Sequence, residues 1–255
     1  MTEAPLDKVP VTPVPAATLM LVRDGREGIE VLLATRHDES GFAAGATVFP
    51  GGKVDAGDRA LAGAGVDPFR IAAIRETFEE CGILLARHRG NRQMLSAAAV
   101  SDLLGRDASV SDFADFIQTA MMALATDLLV PFAHWITPSD RRKRFDTRFF
   151  LAPAPTDQVA RHDGREATLV HWLTVDGAIA AARRDEIKLV LPTRLNLLKL
   201  GRSKTVAEAL ETARNSEVVT VQPEIVDGRE GPVFRIPAAA DYGVTEVLVS
   251  RYLRT

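Results

Sequence analysis

The chain of 255 residues is 46% hydrophobic and 25% charged, an ordinary balance for a globular protein with a sizeable core. Its formal net charge of −3 argues against a broad electrostatic surface for nucleic acid or for an anionic membrane. A single cysteine, Cys81, excludes an intrachain disulfide framework and favours a reducing compartment, so a cytoplasmic location is expected. No apolar run is long enough to span a membrane. The sequence leaves the oligomeric state open.

Short apolar runs and turn residues predict the secondary structure of the first part of the chain. Prolines recur over 1–15, and an extended leader is expected there. Strands are predicted at 16–22 and 30–36, with a turn between them, and a shorter strand is predicted at Thr47–Phe49 within a glycine-rich segment. A helix is predicted over 70–81.

Strand and helix patterns then follow each other without a regular βαβ alternation. This order favours a single domain over 1–255 with an α/β sandwich around a mixed sheet. Helical spacing over 93–104 and 111–127 predicts a helical insertion at about 88–128. The remaining predicted elements are strands at 134–137, 147–152 and 168–173, helices at 175–184, 191–200 and 204–213, and a hairpin at 218–237 turning at Asp227–Gly228.

The helix over 70–81 carries an unusual concentration of acidic residues. Four apolar residues share one face of its helical wheel: Ile71, Ile74, Phe78 and Cys81. Three glutamates share the opposite face, within an arc of about 100°: Glu76, Glu79 and Glu80. Because like charges this close repel each other, the face is either a solvated surface or a site for a divalent cation, which prefers carboxylate ligands.

Together with FPGGKVDAGD (49–58), this helix resembles the signature of the Nudix family, G-x5-E-x7-R-E-U-x-E-E-x-G-U, where U is apolar. Gly52 opens the pattern, and its second half is filled in register by Arg75, Glu76, Thr77, Glu79, Glu80, Gly82 and Ile83. Asp58 stands where the pattern has glutamate, and sixteen residues rather than seven separate it from Arg75. A surface loop inserted around Leu61–Pro68 is therefore expected, and the sequence leaves open whether Asp58 reaches Arg75.

The flanking segments extend the resemblance along most of the chain. The order of SGFAAGATVFPGG, RFDTRFFLA, HWL and IKLVLPT is similar to that in the Nudix branch that includes the peroxisomal coenzyme A diphosphatases. The resemblance implies a Nudix-type α/β/α sandwich with a helical insertion. It also implies metal-dependent hydrolysis of coenzyme A or acyl-coenzyme A to 3′,5′-ADP and (acyl-)4′-phosphopantetheine.

Two other functions stay open at this point. One is the same hydrolysis with another nucleoside diphosphate derivative, such as ADP-ribose or NADH. The other is a non-catalytic Nudix-fold module that binds a nucleotide. In each case the expected partner is a small molecule, not nucleic acid or a membrane.

The resemblance also implies roles for individual residues. The implied ligands of Mg²⁺ or Mn²⁺ are Glu76, Glu79 and Glu80, joined by a backbone carbonyl near Gly51–Gly52. Arg75 is expected to orient these carboxylates, and Glu166 is either an additional ligand or general base, or an ordinary loop residue. The candidate substrate-binding residues are Arg36, Phe49, Gly51 and Gly52. Arg36 either holds a phosphate at the end of its strand or is an exposed residue without a role. The basic run at 141–144 is either a solvated loop or a contact for the 3′-phosphate of coenzyme A.

Overall fold

The structure is a computed structural model that describes residues 11–37, 44–63, 65–106, 112–162 and 167–251. Glu166 and residues 1–10 of the expected leader lie outside these ranges. The strands are β1 (Val14–Gly25), β2 (Gly28–Arg36), β3 (Thr47–Val48), β4 (Gly51–Lys53), β5 (Ala86–His88), β6 (Met122–Leu124), β7 (Val130–Ile136), β8 (Phe145–Pro153), β9 (Ala167–Thr174), β10 (Thr220–Val221), β11 (Glu224–Gly228), β12 (Gly231–Arg235) and β13 (Glu246–Leu248). The α-helices are α1 (Ala56–Ala62), α2 (Pro68–Cys81), α3 (Ala97–Arg106), α4 (Phe113–Thr119), α5 (Val175–Arg183), α6 (Leu191–Leu200) and α7 (Val206–Arg214). Short 3-10 helices lie at Thr126–Leu128, Ala238–Ala240 and Val249–Arg251.

The main sheet is mixed and divides around β1. Its strand order is β10-β7-β8-β1-β2-β3, with β4 also paired to β1 and β9 also paired to β2. β1 is parallel to β8 but antiparallel to β2 and β4. Residues 22–25 of β1 pair with β2, whereas residues 16–18 pair with β4. This change of partner places the glycines of β4 beside the first half of β1, where the sheet diverges.

Each face of the sheet carries its own apolar core, because side chains alternate along β1 and β2. On one side, here named the α2 face, Leu19 and Leu32 pack with residues of α2, α4, β5 and β6. On the other side, here named the α7 face, Met20 and Leu33 pack with residues of α5, α6, α7 and the C-terminal strands. Helices therefore cover both faces, which confirms the predicted α/β sandwich around a mixed sheet.

Local signals determine the bounds of α2. The helix begins at Pro68, two residues before the predicted start, because the side chain of Asp67 caps it and accepts a hydrogen bond from the Phe69 N–H at 3.0 Å. It ends at Cys81, since Gly82 has a φ of 69°, a left-handed conformation that glycine adopts easily. The Cys81 side chain is buried in the α2-face core.

The segment after α2 is less helical than the spacing predicts. The helix predicted over 111–127 is wrong in its second half: α4 ends at Thr119, Met121 has a φ of 50°, and β6 then pairs with β5. The ring of Phe116 in α4 stacks on Phe78 of α2 with centroids 5.9 Å apart. This part of the insertion therefore contacts the apolar face of α2, not the face that carries the three glutamates.

Three smaller boundaries also differ from the predictions. β1 begins at Val14, inside the expected leader, and α1 covers the first two residues of the expected surface loop at 61–68. Asp227 and Gly228 belong to β11, so the predicted turn moves to residues 229–230. Among the described residues, no helix has the length and apolarity that crossing a membrane requires.

Candidate active site

Arg75 is the centre of the candidate site. Its Nε and Nη2 donate to the two carboxylate oxygens of Asp58, at 2.9 and 3.0 Å. Nη2 also donates to the backbone carbonyl of Lys53, at 2.8 Å. Nη1 lies 2.7 Å from Glu79 Oε2 and 3.0 Å from Glu76 Oε1. One guanidinium thus connects α1, α2 and β4 through hydrogen bonds and ionic contacts.

Asp58 reaches Arg75 because it lies on a separate short helix. The Asp55 side chain caps α1 and accepts from the Asp58 N–H at 2.8 Å, while the Asp55 N–H donates to Asp58 Oδ2 at 2.9 Å. α1 packs against α2, and the Asp58 side chain is completely buried. The position of α1 therefore answers the question that the sequence left open: the shorter aspartate does pair with the arginine.

The three glutamates of α2 differ in exposure. Glu76 and Glu80 are buried, whereas 46% of the Glu79 side chain is exposed. The Gly51 N–H donates to Glu80 Oε2 at 3.1 Å. A Cβ atom on Gly52 would lie only 2.4 Å from Glu76 Oε1, so a residue without a side chain is needed where β4 meets this carboxylate. The acidic face of α2 is therefore packed against β4 at Glu76 and Glu80 and open to solvent at Glu79.

The electrostatics of the cluster depend on Arg75. Burial alone lowers the pKa of Arg75, but its hydrogen bond to Asp58 and the charges of Glu76, Asp58 and Glu79 reverse this, so its pKa is raised. Burial raises the pKa of Asp58, and the hydrogen bond from Arg75 opposes the rise. Burial also raises the pKa of Glu79, and the charge of Arg75 again opposes it. Arg75 is therefore the group that favours the ionised form of both acids.

The donor set fits a divalent cation by its chemistry. Carboxylate oxygens are preferred ligands of Mg²⁺ and Mn²⁺, and Gly52 leaves room for the Glu76 carboxylate beside β4. Within the described residues, no three histidine, cysteine, aspartate or glutamate side chains converge as a ready metal site. Instead, the oxygens of Glu76 and Glu79 face Arg75, and an oxygen of Glu80 faces the Gly51 N–H.

Two of the predicted substrate-binding residues have surroundings that differ from those of the glycines of β4. Phe49 is 2% exposed and packs edge-on against Phe149 in the α7-face core, so its side chain is not available to a ligand. Arg36 lies at the end of β2, and its enclosed Nε atom has no hydrogen-bond partner in the part of the chain that the structure describes. Gly51 and Gly52, in contrast, contact the glutamates directly.

The four side chains of the basic run at 141–144 differ in burial. Arg144 is buried and donates to the carbonyl oxygens of Thr137 and Val11, at 3.1 and 2.7 Å. Residues 141–143 are exposed. Arg144 therefore has a structural role at the start of β8, and only the other three basic side chains are accessible to a ligand.

One residue of the site was missed by sequence reasoning. Asp55 Oδ2 lies 3.6 Å from Arg75 Nε, in addition to the cap that Asp55 forms on α1. The signal was present, since Asp55 and Asp58 have the three-residue spacing of a capping box. It would have predicted both the start of α1 and a fixed position for Asp58.

A surface cavity of about 310 Å³ opens elsewhere, between the first turn of α2 and the end of α7. Arg70, Asp127 and Arg214 are among its lining residues. None of the predicted site residues lines this cavity, so the candidate site is defined by its side-chain contacts and not by this cavity.

Comparison with known proteins agrees with this geometry. The model of the NUDT19 Nudix domain family matches residues 62–200, which are 139 of the 255 positions. Acyl-coenzyme A diphosphatase NUDT19 of Gallus gallus is 29% identical over 67% of this chain and 61% of its own, and that of Homo sapiens is 27% identical over 71% and 63%. The chain thus spans about three fifths of the length of these two relatives.

A solved NUDIX hydrolase from Alicyclobacillus acidocaldarius matches 81% of this chain and 99% of its own, at 26% identity and a TM-score of 0.68. Because the family model covers more than half of the sequence and includes all of α2, the chain belongs to the NUDT19 Nudix domain family.

Proposed function

We propose that this chain is a divalent-metal-dependent diphosphatase that hydrolyses coenzyme A or acyl-coenzyme A. The observation that carries the proposal is the cluster of Glu76, Glu79 and Glu80 around Arg75 and the glycines of β4. The substrate class is supported by the chicken and human relatives, which are named acyl-coenzyme A diphosphatases. One water molecule is consumed at the phosphoanhydride bond, and the products are 3′,5′-ADP and (acyl-)4′-phosphopantetheine.

In this proposal Glu76, Glu79 and Glu80 hold Mg²⁺ or Mn²⁺. When bound, such a cation neutralises charge on the phosphoryl oxygens and lowers the pKa of a coordinated water molecule. Glu79 is the most exposed of the three carboxylates, so it is the one that faces incoming ligands.

The neighbouring groups fix these carboxylates before substrate arrives. Arg75 holds Glu76 and Glu79 through Nη1, and the Gly51 N–H holds Glu80. Asp58 in turn fixes the guanidinium plane through two parallel hydrogen bonds. Because Arg75 is 8% exposed, it acts by positioning the carboxylates and not by contact with substrate. Glu166 remains a candidate for an additional ligand or general base, with an ordinary loop residue as the alternative. A cytoplasmic location remains a prediction from the single cysteine.

A substrate panel tests this function. Coenzyme A, acyl-coenzyme A, ADP-ribose and NADH are supplied with Mg²⁺ or Mn²⁺, and kcat/KM is measured for each. We expect the coenzyme A substrates to give the highest values and a chelator to abolish turnover. Faster cleavage of ADP-ribose or NADH would overturn the substrate, and binding without turnover of any substrate would show a non-catalytic module.

A further inference from the structure

Arg36, Ala46 and Lys188 lie side by side at one edge of the sheet. The Arg36 N–H donates to the Ala46 carbonyl at 3.0 Å, and Ala46 forms a parallel bridge with Lys188. The Thr47 N–H donates to the Lys188 carbonyl at 2.8 Å. On the other side of Arg36, β9 contributes Ala167. Four neighbouring segments thus place two cationic and two very small side chains in one row.

This row is on the α2 face of the sheet. Ala34 and Ala167 both belong to the α2-face core. The pairing of β2 with β9 shifts register between Thr35 and Arg36, and beyond the shift Arg36 pairs directly with Ala167, so Arg36 lies on the side of Ala167. Ile187 and Leu189, on either side of Lys188, pack against the α7-face core. Lys188 itself therefore projects to the opposite side. Both cations therefore project on the side of the sheet that carries α2 and its glutamates.

Neither cation has an ion pair within the described residues. Arg36 is half-buried, and its enclosed Nε atom has no acceptor there, whereas Lys188 is exposed. A guanidinium cannot lose its charge, so a half-buried one whose Nε atom lacks an acceptor is well suited to an anion. The two buried alanines of the row, Ala46 and Ala167, add neither charge nor bulk between the cations and such an anion.

We propose that Arg36 and Lys188 form a subsite for a phosphate group of the substrate other than the diphosphate that is cleaved. This inference rests on the proposed function, and in coenzyme A the phosphate concerned is the 3′-phosphate. A phosphomonoester accepts a forked hydrogen bond from arginine and a point contact from lysine. Ala46 precedes Gly51 by five residues, at most about 18 Å of chain, so the subsite lies within that reach of the glycines that contact the glutamates.

Kinetics with paired substrates test the subsite. Coenzyme A and dephospho-coenzyme A, which lacks only the 3′-phosphate, are compared in wild type, Arg36→Gln and Lys188→Gln. Each variant is expected to lower kcat/KM for coenzyme A on the order of tenfold, as for a lost charge-assisted hydrogen bond, and to leave dephospho-coenzyme A unchanged. Lys204→Gln, which removes an exposed lysine near the start of α7, is the matched control and should change neither substrate.

The other outcomes overturn the inference. Equal losses on both substrates would place the two cations at the diphosphate, and no loss on either would remove them from binding. A loss of discrimination in Lys143→Gln alone would assign the 3′-phosphate to the basic run before β8.

A binding measurement separates this inference from the proposed function. Calorimetric titration of wild type and both variants with 3′,5′-ADP and with 5′-AMP needs no turnover. If wild type cleaves none of the substrates, the proposed function fails, yet tighter binding of 3′,5′-ADP that is lost in Lys188→Gln still supports the subsite. Equal affinity for the two nucleotides in wild type overturns it.

Discussion

Two arginines on the α2 side of the sheet have opposite surroundings. Arg75 is 8% exposed and has three carboxylates within 3.0 Å, whereas half-buried Arg36 has an enclosed Nε without an acceptor in the described residues. Both guanidinium groups stay charged, because neither can lose its proton near neutral pH. A cation buried with its counter-ions supports the architecture, and a half-buried cation with an unsatisfied Nε atom is still able to bind an anionic ligand.

Replacing Asp58 with asparagine should have the largest effect, because it removes a counter-ion of the well-partnered arginine. Removing one partner of a buried ion pair typically lowers the free energy of unfolding by about 3–5 kcal/mol. For a chain of this size the melting temperature should fall by roughly 10 °C. Urea unfolding and thermal melts measure both quantities. Asp55→Asn is the control, since asparagine keeps the helix cap and removes only an exposed, longer contact with Arg75 at 3.6 Å, so stability should change by less than about 1 kcal/mol. Equal losses in the two variants would show that the buried pair with Arg75 contributes no stability of its own.

Glu79→Gln should separate catalysis from stability in the same cluster. Glutamine keeps the shape of the side chain and an acceptor for Arg75 but removes one ligand charge. Losing such a contact typically lowers kcat by 10²–10³, or about 3–4 kcal/mol. Because Glu79 is half exposed, the melting temperature should barely change. Turnover at saturating Mg²⁺ and melts without metal measure the two effects. Glu186→Gln, an exposed acid that pairs with Arg184, is the control, and wild-type turnover in Glu79→Gln would show that this carboxylate has no part in metal binding.

Arg36→Gln should lower activity and keep stability, whereas Asp58→Asn is expected to lower stability. The enclosed Nε atom has no partner to lose, so the free energy of unfolding should stay within about 0.5 kcal/mol or rise. The value of kcat/KM for coenzyme A should fall about tenfold, which corresponds to about 1.4 kcal/mol. Urea unfolding and steady-state kinetics on one preparation test both parts. A large loss of stability with unchanged kinetics would make Arg36 a structural residue like Arg75.

Replacing His171 should have the smallest effect on stability. Unlike the two arginines, this residue can lose its charge near neutral pH. Its Nε2 atom on β9 is enclosed and without a partner in the described chain, and burial lowers its pKa below the ordinary value near 6.5. The unfolded chain therefore binds a proton more readily than the folded one. The stability due to this residue is complete above about pH 6.5 and is lost as the pH falls through the lower pKa of the folded state. Urea unfolding between about pH 7.5 and 5.5 should show a shallower decline in His171→Leu. The wild-type slope in His171→Leu would show that this imidazole does not contribute to the pH dependence of stability.

Much of the fold could be predicted from local patterns. The predicted helices at 191–200 and 175–184 match α6 and α5 to within one residue, and α2 differs only at its first turn. Apolar spacing and caps determine such elements, and both act over a few positions of the chain. The predicted helix over 111–127 failed for the opposite reason. Pairing of β6 with β5, which lies far earlier in the sequence, overrides a helical pattern that is only local.

For the site, the sequence by itself determined which residues share the acidic face of α2, because a helix of 3.6 residues per turn brings Glu76, Glu79 and Glu80 together. It also determined the resemblance to the family that the comparisons show. Only the tertiary structure decided that Asp58 pairs with Arg75, seventeen positions away, and that Phe49 belongs to the opposite core. The row of Arg36 and Lys188 was likewise decided there, by strands that meet from separate parts of the chain. The physical reason is that spacing along one helix is fixed by local geometry, whereas burial and ion pairing depend on which elements pack against each other.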